Sequence, residues 1–186
     1  MKRFLLFVIL LAAASIQANA QWGEDEMDET APWKERIFTG GGLGASFQKG
    51  YSFVSVSPLI GYKITPKLAA GLQFQYRYTK YNVGSFKFSA NDYGISPFLR
   101  WNFYGPLFLH TEYEYLNYTS MDLDGSKVRK GYNSFFAGGG FFQPLGRNAG
   151  FFLLALYNFS YRDPQPNELS PYDSPLVIRA GVTAGF

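Results

Sequence analysis

Any chemistry in this chain has to be built around very few residues. Its 186 residues include one histidine, His110, and no cysteine. Glu112 and Glu114 follow at steps of two, so on an extended segment the three side chains share one face. A histidine beside carboxylates could relay a proton, but nucleophilic catalysis also needs a hydroxyl or thiol within reach of the imidazole. The neighbour on that face is Glu112, so His110 is expected to be a hydrogen-bonding residue and not a catalytic one. One His without Cys also makes a metal site unexpected, and no cofactor is implied. Gly40, Gly41, Gly42 and Gly44 match a phosphate loop only in glycine count; with no helix after them, close packing between strands is the expectation. Asp122-Leu123-Asp124-Gly125 begins like a calcium loop but lacks the later ligands, and fits an Asp-Gly turn at a loop tip.

What would position His110 is a strand, and the chain is full of them. Aromatic residues make up 19% of the sequence, yet there is no long apolar run after the N-terminal segment. Alternation produces that combination, because every second residue is polar or small. Ile37, Thr39, Leu43 and Phe47 share one face of a first strand; Val54, Val56, Pro58, Ile60 and Tyr62 one face of a second. Leu72, Phe74, Tyr76 and Tyr78 mark a third, Tyr93, Ile95, Leu99, Trp101 and Phe103 a fourth, and Leu107, Leu109, Tyr113 and Tyr115 a fifth. Phe135, Ala137, Gly139 and Phe141 are the expected outward set of a sixth strand, and a seventh, 151–159, is apolar on both faces. Leu176 opens the eighth. Short turns are expected at 65–67, 105–106 and 146–148, and longer polar loops elsewhere, including 79 through Asp92 and 116 to Lys130. Pro58 and Pro97 fall inside strands, where a bulge is expected.

The two faces differ in kind. Outward aromatics gather toward the turn end (Tyr62, Trp101, Phe103, Phe141, Phe151) and toward the loop end (Tyr76, Tyr78, Tyr113, Tyr115, Phe135, Tyr157, Phe159), with aliphatics between. Two aromatic girdles around an aliphatic band match the interfaces and core of a bilayer. Lys63, Arg77, Arg100, His110, Glu112, Glu114 and Arg179 all take the opposite parity, and are expected to form a charged network filling the lumen. A soluble lipocalin-like barrel would put the apolar face inside.

The flanks agree. Residues 1–20 carry Lys2 and Arg3, an apolar run, and Ala18-Asn19-Ala20, the pattern of a cleaved signal peptide. Residues 21–33 include five acids without periodicity, and are expected to be a disordered acidic tail. At the other end, Ile178, Ala180, Val182, Ala184 and Phe186 form an apolar face. Arg179, Gly181, Ala184 and Phe186 resemble the C-terminal assembly signal of bacterial outer-membrane barrels: a polar residue, a Gly, and apolar residues spaced to the terminus.

Residues 34–186 therefore resemble the small eight-stranded outer-membrane barrel family, of the OmpX and OmpA-transmembrane-domain kind. The expected fold is an all-β, eight-stranded, antiparallel up-and-down transmembrane β-barrel behind a signal peptide. The resemblance implies a Gram-negative outer membrane, both chain ends periplasmic and the long loops extracellular. It also implies escort by periplasmic chaperones, insertion by the barrel assembly machinery, a monomer surrounded by lipid and lipopolysaccharide, and no nucleic-acid partner. A structural or surface-interaction role is expected, with a lipid A-modifying enzyme or a small passive channel as alternatives. Lipid A deacylase barrels pair His and Ser two apart on a lipid-facing strand; here the second position is Glu112 and His110 faces inward. Lys127, Arg129 and Lys130, at the loop end of the sixth strand, are the candidate lipopolysaccharide contact.

Overall fold

The structure is a computed structural model that describes residues 32–48, 51–83, 86–121, 127–145, 149–162, 171–172 and 174–185. The signal segment, most of the acidic tail, residues 122–125, the turn at 146–148 and Phe186 lie outside them. A short 3-10 helix, Trp33–Arg36, leads into eight strands: β1 (Ile37–Gln48), β2 (Tyr51–Lys63), β3 (Leu68–Val83), β4 (Phe86–Tyr104), β5 (Leu107–Met121), β6 (Lys127–Pro144), β7 (Ala149–Asn158) and β8 (Leu176–Ala184). Each pairs antiparallel with its sequence neighbour, and β8 returns to β1 through Thr39↔Ala184 to Gly42↔Gly181, closing the barrel. Closure leaves the sheet without an edge.

Parity follows the alternation on every strand, including β6 and β7. Leu43 and Ile178, on the outer face, are 81% and 67% exposed, while Phe136, Phe152, Leu154 and Leu156 point inward and are buried. The outer surface is thus apolar and the inner one mixed. The turn end is tight. Ile64 and Thr65 both donate backbone N–H bonds to Leu68 O (2.8 and 3.0 Å), and Gly105 takes φ +48° in the two-residue link from β4 to β5. A side chain at that φ would be strained.

Three expectations are corrected. Residues 79–83 and 86–92 are not loop but strand, paired from Thr79↔Ala90 to Val83↔Phe86, and Asp92 sits opposite Arg77. Likewise β5 runs on to Met121 and β6 begins at Lys127. Beyond the outer apolar band the alternation reverses its sense: Phe88 and Ala90 are buried on the inner face while Lys80, Ser89 and Asn91 are exposed, so no outward apolar stripe marks the hairpin. The barrel is consequently lopsided, with β3 to β6 of 15 to 19 residues against 10 and 9 for β7 and β8. Second, Pro58 and Pro97 make no bulge. The β2–β3 ladder breaks between Val56↔Tyr76 and Leu59↔Gln73, and the β4–β5 ladder between Ile95↔Tyr115 and Phe98↔Glu112, without a change of register. Each proline removes a donor on one side only. The register shift lies instead between Asn102 and Tyr104, beside the Gly105 turn. Third, Trp33 belongs to the 3-10 helix that enters β1, not to an irregular tail.

Inner-face phenylalanines solve a packing problem that the narrow lumen sets. Phe38 lies opposite Gly61, Phe98 opposite Gly71, Phe108 opposite Gly140 and Phe152 opposite Gly181. A Cβ on any of these four glycines would fall 2.2 to 2.6 Å from the facing ring. Each ring therefore lies flat across the neighbouring strand instead of reaching the barrel axis. The glycines of β1 serve closeness as expected: a Cβ on Gly40 would meet Val182 O at 2.4 Å, and one on Gly42 would meet Ala180 O at 2.8 Å.

Candidate functional site: the barrel interior

The interior charges are held by β2, β3, β4, β5 and β8, and they separate into three levels. The central level is a bridge across the lumen. Arg179 of β8 reaches β5, with Nη1 2.7 Å from Glu112 Oε1 and Nη2 3.5 Å from Glu114 Oε2. His110 Nε2 lies 3.1 Å from Glu112 Oε2 and donates to it. Glu112 and Glu114 are 1% and 0% exposed, so their charges are stable there only because cations and donors surround them. One guanidinium thus ties opposite walls of the barrel through two carboxylates.

The upper level belongs to the β7–β8 connection. Tyr172 is buried, its hydroxyl donates to Glu114 Oε1, and its ring packs edge-on against Phe136 at 5.5 Å. Burial, reinforced by the Glu114 carboxylate, holds the Tyr172 phenol well above its usual range, so it stays a donor. Arg77 Nη1 donates to Pro171 O (2.9 Å), and the Arg77 guanidinium lies over the Tyr172 ring. Gln75, with its amide turned to suit both neighbours, donates to Glu114 Oε2 (2.9 Å) and accepts from Arg77 Nη2 (3.1 Å). Higher still, Asp92 is buried and accepts a bond from Thr119 N (3.0 Å). Residues 171–172 are therefore folded into the mouth and cover the central bridge.

The lower level contains Arg100. It lies 4.5, 5.3 and 5.9 Å from the centroids of Phe108, Phe152 and Phe98, and has no carboxylate partner among the described residues. Phe98 also stacks on His110 at 5.2 Å, separating Arg100 from the acids above. Lys63 is half-buried at the turn end. All seven expected lumen residues do face inward, but they do not form one network: His110, Glu112, Glu114 and Arg179 meet directly, Arg77 joins through Gln75, and Arg100 stands apart among aromatic rings. Tyr172 and Gln75 are members that sequence reasoning missed. Gln75 had the right parity, whereas Tyr172 lies in a Pro-rich connection without periodicity.

Of the assembly-signal residues, Arg179 and Gly181 face inward and Ala184 outward; a Cβ on Gly181 would stand 2.3 Å from Gly41 O at the closing seam. The basic trio does not form one cluster. Arg129 stands at the upper girdle, donating to Asn117 Oδ1 (2.7 Å) with its guanidinium over the Tyr93 ring. Lys127 reaches the β3–β4 hairpin, where Nζ donates to Ser89 O (3.2 Å). Lys130 pairs with inward-facing Tyr118 and so takes the lumen-side parity.

These features define a closed eight-stranded antiparallel barrel with an apolar exterior and a buried, ion-paired interior. No protein-family model matches the chain, and no curated protein matches it in sequence.

Proposed function

We propose that this chain is an integral outer-membrane barrel with a structural or surface-interaction role. The observation that carries the proposal is the inversion of its faces: exposed Val54, Ile60, Leu72, Leu99, Leu153 and Val182 between outward aromatic rings, with the buried acids Glu112 and Glu114 inside. Water would penalise such an exterior, and hydrocarbon would not. His110 is read as structural because its Nε2 is committed to Glu112 inside the wall, away from any lipid substrate. The Arg179 bridge and the Tyr172 cover argue against an open channel. Expression in a Gram-negative host should give a heat-modifiable band in the outer-membrane fraction, and planar bilayers with the purified barrel should show no steady conductance. Soluble folded protein would overturn the membrane assignment, and a stable porin-sized conductance would overturn the plugged lumen.

The loop-end surface is where a partner would be met. Arg129 and Lys127, just above the ring of Tyr93, stand at the height expected for outer-leaflet phosphates. A basic residue near an anionic surface contributes about 1 kcal/mol. Changing both to Gln should lower the lipopolysaccharide that co-purifies with the folded barrel by several-fold. Unchanged lipid retention would leave both as residues that brace the hairpins.

A further inference from the structure

Below the aromatic layer, at the turn end of the barrel, is a cavity of about 80 Å³. Its lining brings two cations, Lys63 and Arg100, together with Thr183 and the rings of Phe38, Phe108 and Phe142, and includes no Asp or Glu among the described residues. Arg100 is 8% exposed and Thr183 is 1% exposed. Arg100 Nε and Thr183 Oγ1 are both buried without a hydrogen-bond partner. The surrounding rings attract the guanidinium charge, but they offer no acceptor to its N–H groups. Glu112, the nearest acid along β5, is already committed to Arg179 and His110. A buried guanidinium whose Nε–H is unmet, a second cation and an unmet hydroxyl around one cavity form a site for negative charge.

We propose that this cavity binds a small oxyanion, a phosphate or carboxylate group, entering from the turn end beside Thr65 and Pro66. Arg100 supplies the charge and the planar donors, Thr183 a hydroxyl, and Lys63 a second positive charge at the mouth. The volume suits a group of a few heavy atoms, either as a free ion or as the tip of a longer molecule whose chain leaves through the opening. The site is separate from the Arg179 bridge and does not require the barrel to be open.

The test uses the full mature chain folded in a non-ionic detergent, with inorganic phosphate and acetate as probes. Titration of either should move the Arg100 Nε–H resonance saturably, and chloride at equal ionic strength should not. Arg100→Gln should weaken binding by about tenfold or more, in keeping with the loss of charge-assisted hydrogen bonds. Thr183→Val, which removes one unpaired hydroxyl and little volume, should weaken it by several-fold and remains available if Arg100→Gln does not fold. Hexanoate separates the sources: tighter binding than acetate points to the end of an amphiphile, and equal binding points to a free ion. Absence of a saturable shift with both probes, or unchanged affinity in the folded variants, overturns the site.

Discussion

Arg179→Met should be the most damaging single change in the barrel interior. It leaves Glu112 and Glu114 buried with their main counter-charge gone, since both carboxylates are paired to this one guanidinium. Removing one partner of a buried pair costs about 3–5 kcal/mol, most of it the price of the charge left behind. Urea unfolding of the barrel in lipid vesicles, followed by the heat-modifiable gel shift, should report a loss of that size. The triple variant with Glu112→Gln and Glu114→Gln should recover most of it, because an amide can still accept from His110 and Tyr172 without carrying charge. A single variant within about 0.5 kcal/mol of wild type, the range of an inert surface change, would show that the bridge holds nothing together. A triple variant as unstable as the single one would mean that Arg179 matters for packing on Phe136, whose ring centre is 5.4 Å away, and not for charge.

That result would also separate what the sequence carries from what it does not. Within the apolar band one face of each strand has to be greasy, so period-two counting places Arg77, Arg100, Glu112 and Arg179 on the inner face without any structure. Parity says which side a residue takes, but not its height. Glu112 meets Arg179, not its cross-strand neighbourhood on β4, because residues from opposite walls converge at one level, and that depends on register and strand tilt together. Outside the band the signal fades for a physical reason. Thr79 to Val83 and Phe86 to Asp92 form a hairpin with polar Lys80, Ser89 and Asn91 on its outer face and Phe88 and Ala90 turned inward, so the outward apolar count that marks the other strands stops there. Lys127, Arg129 and Lys130 were close in sequence and in expected height, yet strand geometry turns Lys130 to the other side. Tyr172 could not be foreseen at all: its place over Glu114 is set by how the β7–β8 connection folds back into the mouth.

The inner phenylalanines show the same limit. Phe38, Phe98, Phe108 and Phe152 look like blemishes in a polar lumen face until the register sets a glycine opposite each one. The pairing predicts a second large effect, at Gly71. A Cβ there would stand 2.4 Å from Ile60 O and 2.5 Å from Phe98 Cζ, so neither the wall nor the ring has space to give. Gly71→Val should cost about 3 kcal/mol, the upper end for overpacking a filled core. If the clash is with the ring, pairing Gly71→Val with Phe98→Ala should lose less than the two changes summed, with a coupling of about 1–3 kcal/mol. Unfolding midpoints for the four proteins of that cycle measure it directly. Additive losses would mean that the Ile60 carbonyl sets the constraint and that Phe98 only fills space above it. Coupling would instead make the ring-over-glycine pair the unit that lets this narrow barrel hold aromatic side chains inside. The same cycle at Gly140 and Phe108 should then behave alike, since a Cβ on Gly140 would meet Phe108 Cζ at 2.3 Å.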